Sequence, residues 1–277
     1  MKSTKLILAT LFSISTLLTF AQADTATQNS KTQFKISVNY NSGLNYYGRT
    51  DSLKSSGIFP LAELWFTPSF YINAAPVFVH NSVQSLNYAG AVTTLGFLHT
   101  SKKWLSNVYV LKPFYKESSQ LVQSALKAQT GASLAFLNNF LNLNIGGDAK
   151  FSDKTDFGAS AGLDHIFRIQ TKNNSVIVFD PSVYVYAGTQ QFSNTYLKKT
   201  KELLFTRTQQ VTENSQEFNI LSYEASMPVI FSKGNIQLIV TPAYVLPENL
   251  IKVAGRPHLS ENGSHMFYTT AAFKYIF

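Results

Sequence analysis

The chain has 277 residues, 45% of them hydrophobic and only 14% charged, well below the roughly 25% charged of an average soluble domain. Its formal net charge is +8, and it contains no Cys, which excludes disulfides, thiol catalysis and Cys-ligated metals. Although there are 22 Phe and 14 Tyr, the mean hydropathy is only -0.01, because apolar residues alternate with Ser, Thr, Asn and Gln instead of forming blocks.

At the start, Lys2 and Lys5 precede an apolar run from Leu6 to Phe20 and then Ala21-Gln22-Ala23. A positive n-region, an h-region too short to span comfortably and an A-x-A site predict a secretory signal peptide over residues 1–23, cut after Ala23. Removing the two lysines lowers the charge from +8 to +6. No Cys follows the apolar run, so lipoprotein processing is excluded. Residues 24–32 form a short polar periplasmic segment, too small to be a plug domain.

Period-2 alternation then predicts strands over about Gln33–Asn41, Gly57–Phe66, Ser69–His80, Tyr88–His99, Ser106–Tyr115, Ala125–Leu137, Leu141–Gly147, Asp156–Ile169, Val176–Gly188, Phe218–Phe231, Ile236–Leu246 and Met266–Phe277. Tight turns are signalled at Thr67-Pro68, Ser101-Lys102-Lys103, Asn138-Asn139, Lys172-Asn173-Asn174 and Ser232-Lys233-Gly234-Asn235. Longer connections follow the odd-numbered strands, the one after the seventh included. Gly146-Gly147 marks the top of that seventh strand as an ordinary turn or bulge.

In the last strand Phe267, Thr269, Ala271, Phe273, Tyr275 and Phe277 share one face, and Tyr268, Thr270, Ala272, Lys274 and Ile276 the other. A final amphipathic strand closing on Phe resembles the assembly signal of single-chain bacterial outer-membrane β-barrels, here Phe273, Tyr275 and Phe277. The resemblance implies an all-β, antiparallel up-and-down transmembrane barrel over residues 33–277, of about twelve strands with a range of about 10–14. It implies both termini in the periplasm, assembly machinery recognising the last strand, and outer-membrane lipid with lipopolysaccharide as surroundings. Lipid offers the backbone no hydrogen-bonding partner, so the sheet must close on itself, the last strand against Phe34 to Tyr40 of the first. Phe66, Phe70, Phe97, Trp104, Phe136, Phe167 and Phe231 lie near the predicted turns, where an interfacial girdle belongs.

Opposite the apolar stripe, parity collects Lys35, Glu63, Lys112, Lys127, Asp164, Arg168, Asp180, Glu224 and Lys274. These are the candidate lumen-lining charges, and their mixed signs argue against a strongly ion-selective pore. Their bland reading is an ion-pair network that fills the barrel. Asp164 and Arg168 stand four apart, so their partners belong on neighbouring strands.

Catalysis has little support. His165 and His99 fall at the periplasmic end, where a girdle role fits better than that of a base. His258, Glu261 and His265 share the last outer loop without a distinguishing spacing. No phosphate loop, metal-spaced His cluster or nucleotide motif occurs, so no cofactor, metal or nucleic acid is expected. The segment from Thr189 to Glu217 carries Lys198, Lys199, Lys201 and Arg207 as a basic patch, read as lipopolysaccharide binding, an inward constriction or simply a solvated hairpin. The sequence therefore predicts a passive, porin-like channel for small solutes. The alternative is a non-conducting structural, adhesion or envelope-maintenance barrel, with lipase or protease activity third.

Overall fold

The computed structural model describes residues 32–50, 53–115, 126–190, 217–251 and 260–277. Residues 1–23, expected as a signal peptide, the basic patch at Lys198, Lys199, Lys201 and Arg207, and His258 lie outside them. No helix among the described residues is long and apolar enough to cross a membrane. Instead one antiparallel sheet runs through β1 (Gln33–Asn41), β2 (Ser56–Trp65), β3 (Phe70–His80), β4 (Asn87–Thr100), β5 (Trp104–Tyr115), β6 (Ala128–Phe136), β7 (Asn142–Phe151), β8 (Thr155–Asp164), β9 (Phe167–Gln170), β10 (Ser175–Phe179), β11 (Ser182–Gly188), β12 (Asn219–Ser226), β13 (Val229–Lys233), β14 (Ile236–Pro247) and β15 (Met266–Ile276).

Three of these are continuations of the preceding segment: β8 with β9, β10 with β11 and β12 with β13 each make one stave, so the wall has twelve. The interruptions have a covalent cause. Pro181 and Pro228 carry no N–H for the ladder, and Pro242 stands beside them in β14. Across this row the remaining amides reach proline carbonyls: His165 N–H to Pro181 O at 3.2 Å, Asp180 N–H to Pro228 O at 3.0 Å and Met227 N–H to Pro242 O at 3.0 Å. Pairing thus continues through a local kink.

Closure is made by the last strand. Pairs Ile36 with Tyr275, Val38 with Phe273 and Tyr40 with Ala271 lock β15 to β1, and the Phe277 N–H donates to Phe34 O at 2.9 Å. The sheet then has no free edge at the seam, which is what a hydrocarbon environment requires. Parity puts Phe34, Ile36, Val38, Leu95, Val108, Val110, Ile145, Val183, Leu238 and Val240 on the exposed outer face. Near the tight turns this belt ends in aromatic pairs, Phe70 with Phe97 and Trp104 with Phe136, each at 4.8 Å between centroids. His165 sits there too, its ring centroid 4.3 Å from that of Phe167 in an edge-on arrangement.

The inner face is large and uneven. Tyr71, Tyr109 and Tyr184 each lie flat over the glycine directly across the ladder, Gly96, Gly131 and Gly162, where an added Cβ would come within 2.2–2.6 Å of the ring. Glycine leaves the space; the ring covers the bare backbone.

One expected connection differs. β7 continues through Gly146 and Gly147 to Phe151, so these glycines are mid-strand, opposite Ser160 and Ala159. The turn that follows is the tight Ser152–Lys154, closed by Ser152 N–H to Lys154 O at 3.0 Å, so the long-short alternation fails at this point. The strand ends that the other long connections join lie with this turn at one rim, called here the loop rim; the start of β1, the end of β15 and the other turns mark the turn rim.

Candidate functional site: the barrel lumen

The connection after β1 is the dominant internal feature. Leu44 N–H bonds Ser55 O at 2.8 Å, and Tyr46 and Arg49 exchange backbone bonds of 2.9 and 3.0 Å around a two-residue turn. Tyr47 and Gly48 in that turn have φ of 53° and 73°, the positive values of a type I′ hairpin tip. Leu44 and Tyr46 pack against inward Phe59, Val77, Val92 and Leu111 of β2 to β5. On the far side the Tyr47 ring lies 5.1 Å from Tyr186 of β11 and 5.8 Å from the Lys150 ammonium of β7. A segment touching both walls lies across the lumen, so residues 42–50 close much of the loop end.

Arg49 holds this hairpin down. Its Nε stands 3.0 Å from Glu261 Oε2, with both side chains almost fully buried. Its Nη1 donates to Leu221 O and Tyr47 O at 3.1 Å and its Nη2 to Glu248 O at 3.0 Å. Glu261 also accepts the Ile251 N–H at 2.9 Å. It is therefore a structural latch and not a solvated loop residue, which removes it from the protease reading. His265 rests beside Tyr244 at 6.3 Å. Burial pushes the Tyr46 and Tyr47 phenols upward from their ordinary value, with Lys150 pulling the other way.

The sequence-derived lumen charges divide by position. Lys35, Glu63 and Lys274 meet near the turn rim: the Lys274 ammonium is 2.7 Å from the Glu63 carboxylate, and Lys35 stands 4.4 Å from the Trp65 ring centroid. Asp164, Asp180 and Glu224 occupy a different wall, on β8, at the break before β11, and on β12. Asn142 donates to Asp164 at 2.6 Å, Asn144 donates to its other oxygen, and Asp180 shares a hydrogen bond with it. Glu224 accepts from the Tyr268 hydroxyl at 2.9 Å. Arg168 is on the inward face opposite Val178 but exposed at the turn rim.

Two of the nine do not line the lumen. Lys112 shares the exposed outer face with Val108, Val110 and Phe114. Parity misassigned it because the inner face of β5 is apolar too, where Leu111 meets the inward hairpin. Lys127 precedes β6 and pairs with Asp153 at 3.0 Å, both widely exposed. In their place the inward face of upper β7 and β8 supplies Asp148, Lys150 and Asp156, with Lys150 paired to Asp148. Asp148 and Lys150 were missed because the seventh strand was ended at Gly147.

Between the hairpin and the turn rim the wall is polar. Asn73 Oδ1, Thr94 Oγ1, Asn107 Nδ2 and Thr241 Oγ1 are buried with no protein partner among the described residues. Such groups are normally satisfied by water. Toward the turn rim, apolar clusters around Trp65, Tyr71, Leu98 and Leu105 and around Val178, Ile230 and Ile239 narrow the interior. A separate trough of about 480 Å³, lined among others by Leu143, Leu163, Val183, Tyr223, Tyr244 and Leu246, is on the outer face and belongs to lipid.

Closed wall, apolar outer belt and polar interior define an outer-membrane β-barrel. No family model and no curated protein matches the chain. Among solved structures, it is similar to an outer-membrane channel of Pseudomonas putida at 11% identity and TM-score 0.49, covering 89% of this chain and 96% of that one. The KdgM porin aligns over 87% and 98% at 7% identity and TM-score 0.47, and LpxR from Salmonella typhimurium over 88% and 100% at 9% and 0.44.

Proposed function

We propose that the barrel is a channel for small polar solutes whose loop end is restricted by the hairpin of residues 42–50, with the turn rim toward the periplasm. The observation that supports it most is the band of buried, protein-unpartnered polar atoms at Asn73, Thr94, Asn107 and Thr241 beneath that hairpin. Unsatisfied groups cost about 1–3 kcal/mol each, so a dry interior would be heavily penalised. Water is the simplest remedy, and a wet interior is a path. The restriction is a loop held by the Arg49 side chain and by the packing of Leu44 and Tyr46, not a wall of strands, so it can yield.

Planar-bilayer recording of the purified barrel tests this. Wild type is expected to give small, discrete conductance steps. Arg49→Ala removes the latch and should enlarge them. Stable insertion without steps in either protein would defeat the reading. The second reading, a non-conducting barrel working through its loops, is favoured by the apolar clusters near the turn rim; it predicts that latch loss changes nothing electrical.

A further inference from the structure

The charges inside this barrel are sorted. Lys35 and Lys274 stand with Glu63 on β1, β15 and β2, whereas the strands flanking β11 place Glu224 directly opposite Tyr184 and Asp164 opposite Ser182, with Asp180 two residues before Ser182. None of these three carboxylates forms an ion pair with a Lys or Arg among the described residues. Their partners are neutral or acidic: the amides of Asn142 and Asn144, the Tyr268 hydroxyl, and each other. Asp180 is 4% exposed, and its Oδ1 has no partner. Buried carboxylates without counter-charge are costly, and within a membrane protein they mark sites by default.

A second feature lies among them. Tyr184 is pressed on Gly162 by one face, since a Cβ there would come within 2.3 Å of the ring. The ring is only half-buried. Tyr186 stacks alongside at 5.9 Å with 16° between planes. Open aromatic faces ringed by carboxylates attract cations through the ring quadrupole and through direct charge. No group of three or more His, Cys, Asp or Glu suited to a metal ion occurs among the described residues, so a dedicated metal centre is the poorer fit.

We propose that Asp164, Asp180 and Glu224 with the Tyr184 and Tyr186 rings form a subsite for a small organic ammonium ion. The Asp164 and Glu224 carboxylates accept its N–H groups, buried Asp180 adds acidic charge beside Asp164, and the alkyl part lies on the tyrosine faces. The assignment rests on the interior being a solute path, and it makes cationic amines the solutes that dwell there longest.

Calorimetric titration of the full-length barrel in detergent with cadaverine, a small diammonium, reads the subsite without requiring conduction. Wild type should bind it saturably and ignore the corresponding uncharged diol. Asp164→Asn with Glu224→Gln is near-isosteric, relieves like-charge crowding and should fold; binding should weaken on the order of tenfold or more. Tyr184→Leu should weaken it by about two- to fivefold. Asp153→Asn, an exposed carboxylate at the loop rim, makes the same kind of charge change and should leave it untouched. Absence of cadaverine binding, equal loss with Asp153→Asn, or full displacement by equimolar sodium or calcium would each overturn the organic-ammonium site. Binding intact in a barrel that never conducts would sink the channel reading alone.

Discussion

At the scale of single residues, the inner face is governed by what each side chain displaces. Gly131 lies directly under Tyr109, and a methyl added there would sit 2.6 Å from the phenol oxygen. Gly131→Ala must therefore push the ring off the wall. We expect a loss of about 1–3 kcal/mol, the usual cost of overpacking, measured as a lower urea midpoint in micelles; an unchanged midpoint would mean that Tyr109 moves aside without penalty. Glu63→Gln acts by charge instead. It leaves the Lys274 ammonium buried without its partner at 2.7 Å, a type of change that costs about 3–5 kcal/mol. Combining it with Lys274→Met should recover much of the loss, because no uncompensated charge then remains at that pair. Parity found Lys35, Glu63 and Lys274 because each stands opposite the exposed apolar stripe of its strand. It failed at Lys112, whose strand also carries buried Leu105 and Leu111 on its inner face, Leu111 beneath the inward hairpin.

At the scale of elements, the strands were legible and their departures were not. The twelve staves, the β1–β15 closure and the turn-rim aromatic pairs follow from alternation and turn residues, which are local. The kink row at Pro181, Pro228 and Pro242 needed knowledge of which strands neighbour which. The hairpin of residues 42–50 reads as an ordinary polar loop, and its inward course is set by Leu44, Tyr46 and Arg49 meeting residues far along the chain. Its tyrosines give it a pH signature. Burial raises the Tyr46 and Tyr47 phenols above their unfolded value of about 10, so folding favours their protonated forms. Their contribution is complete below about pH 10 and is lost as pH rises through the folded values. The hairpin should loosen only on the alkaline side, seen as trypsin cleavage after Arg49 that begins above about pH 10. Cleavage equal at neutral pH would show that it is not held. The closing strand makes a separate prediction. The Phe277 ring lies 5.5 Å from Phe34 and 4.8 Å from Tyr275. Phe277→Ala should slow folding into lipid vesicles, followed by gel mobility, whereas Phe140→Ala, 83% exposed in a turn, should not; equal rates would remove the terminal ring from closure.

At the scale of the whole molecule, the barrel is a boundary between two solvents, and the price of a charge depends on which solvent it meets and how deep. The composition already pointed to that boundary, since few charges and alternating apolar residues fit a closed sheet in lipid better than a water-facing sandwich. The restriction and the sorted interior were hidden, because they depend on which walls face each other once the sheet curls. On β5 the outer face runs from Trp104 at the turn rim through Val108 and Val110 to Lys112 and Phe114 near the loop rim. Lys112 is tolerable there because a long side chain can lift its ammonium toward the headgroups. A cation at mid-strand has no such escape. Val108→Arg should destabilise the barrel by about 2–4 kcal/mol, the midplane value, and Lys112→Leu should change stability by no more than about 1 kcal/mol. The two unfolding midpoints in lipid vesicles, measured side by side, map the membrane onto the wall. If Val108→Arg proved as mild as Lys112→Leu, the belt would not be in hydrocarbon, and the outer face of this sheet would have to be covered by something other than lipid.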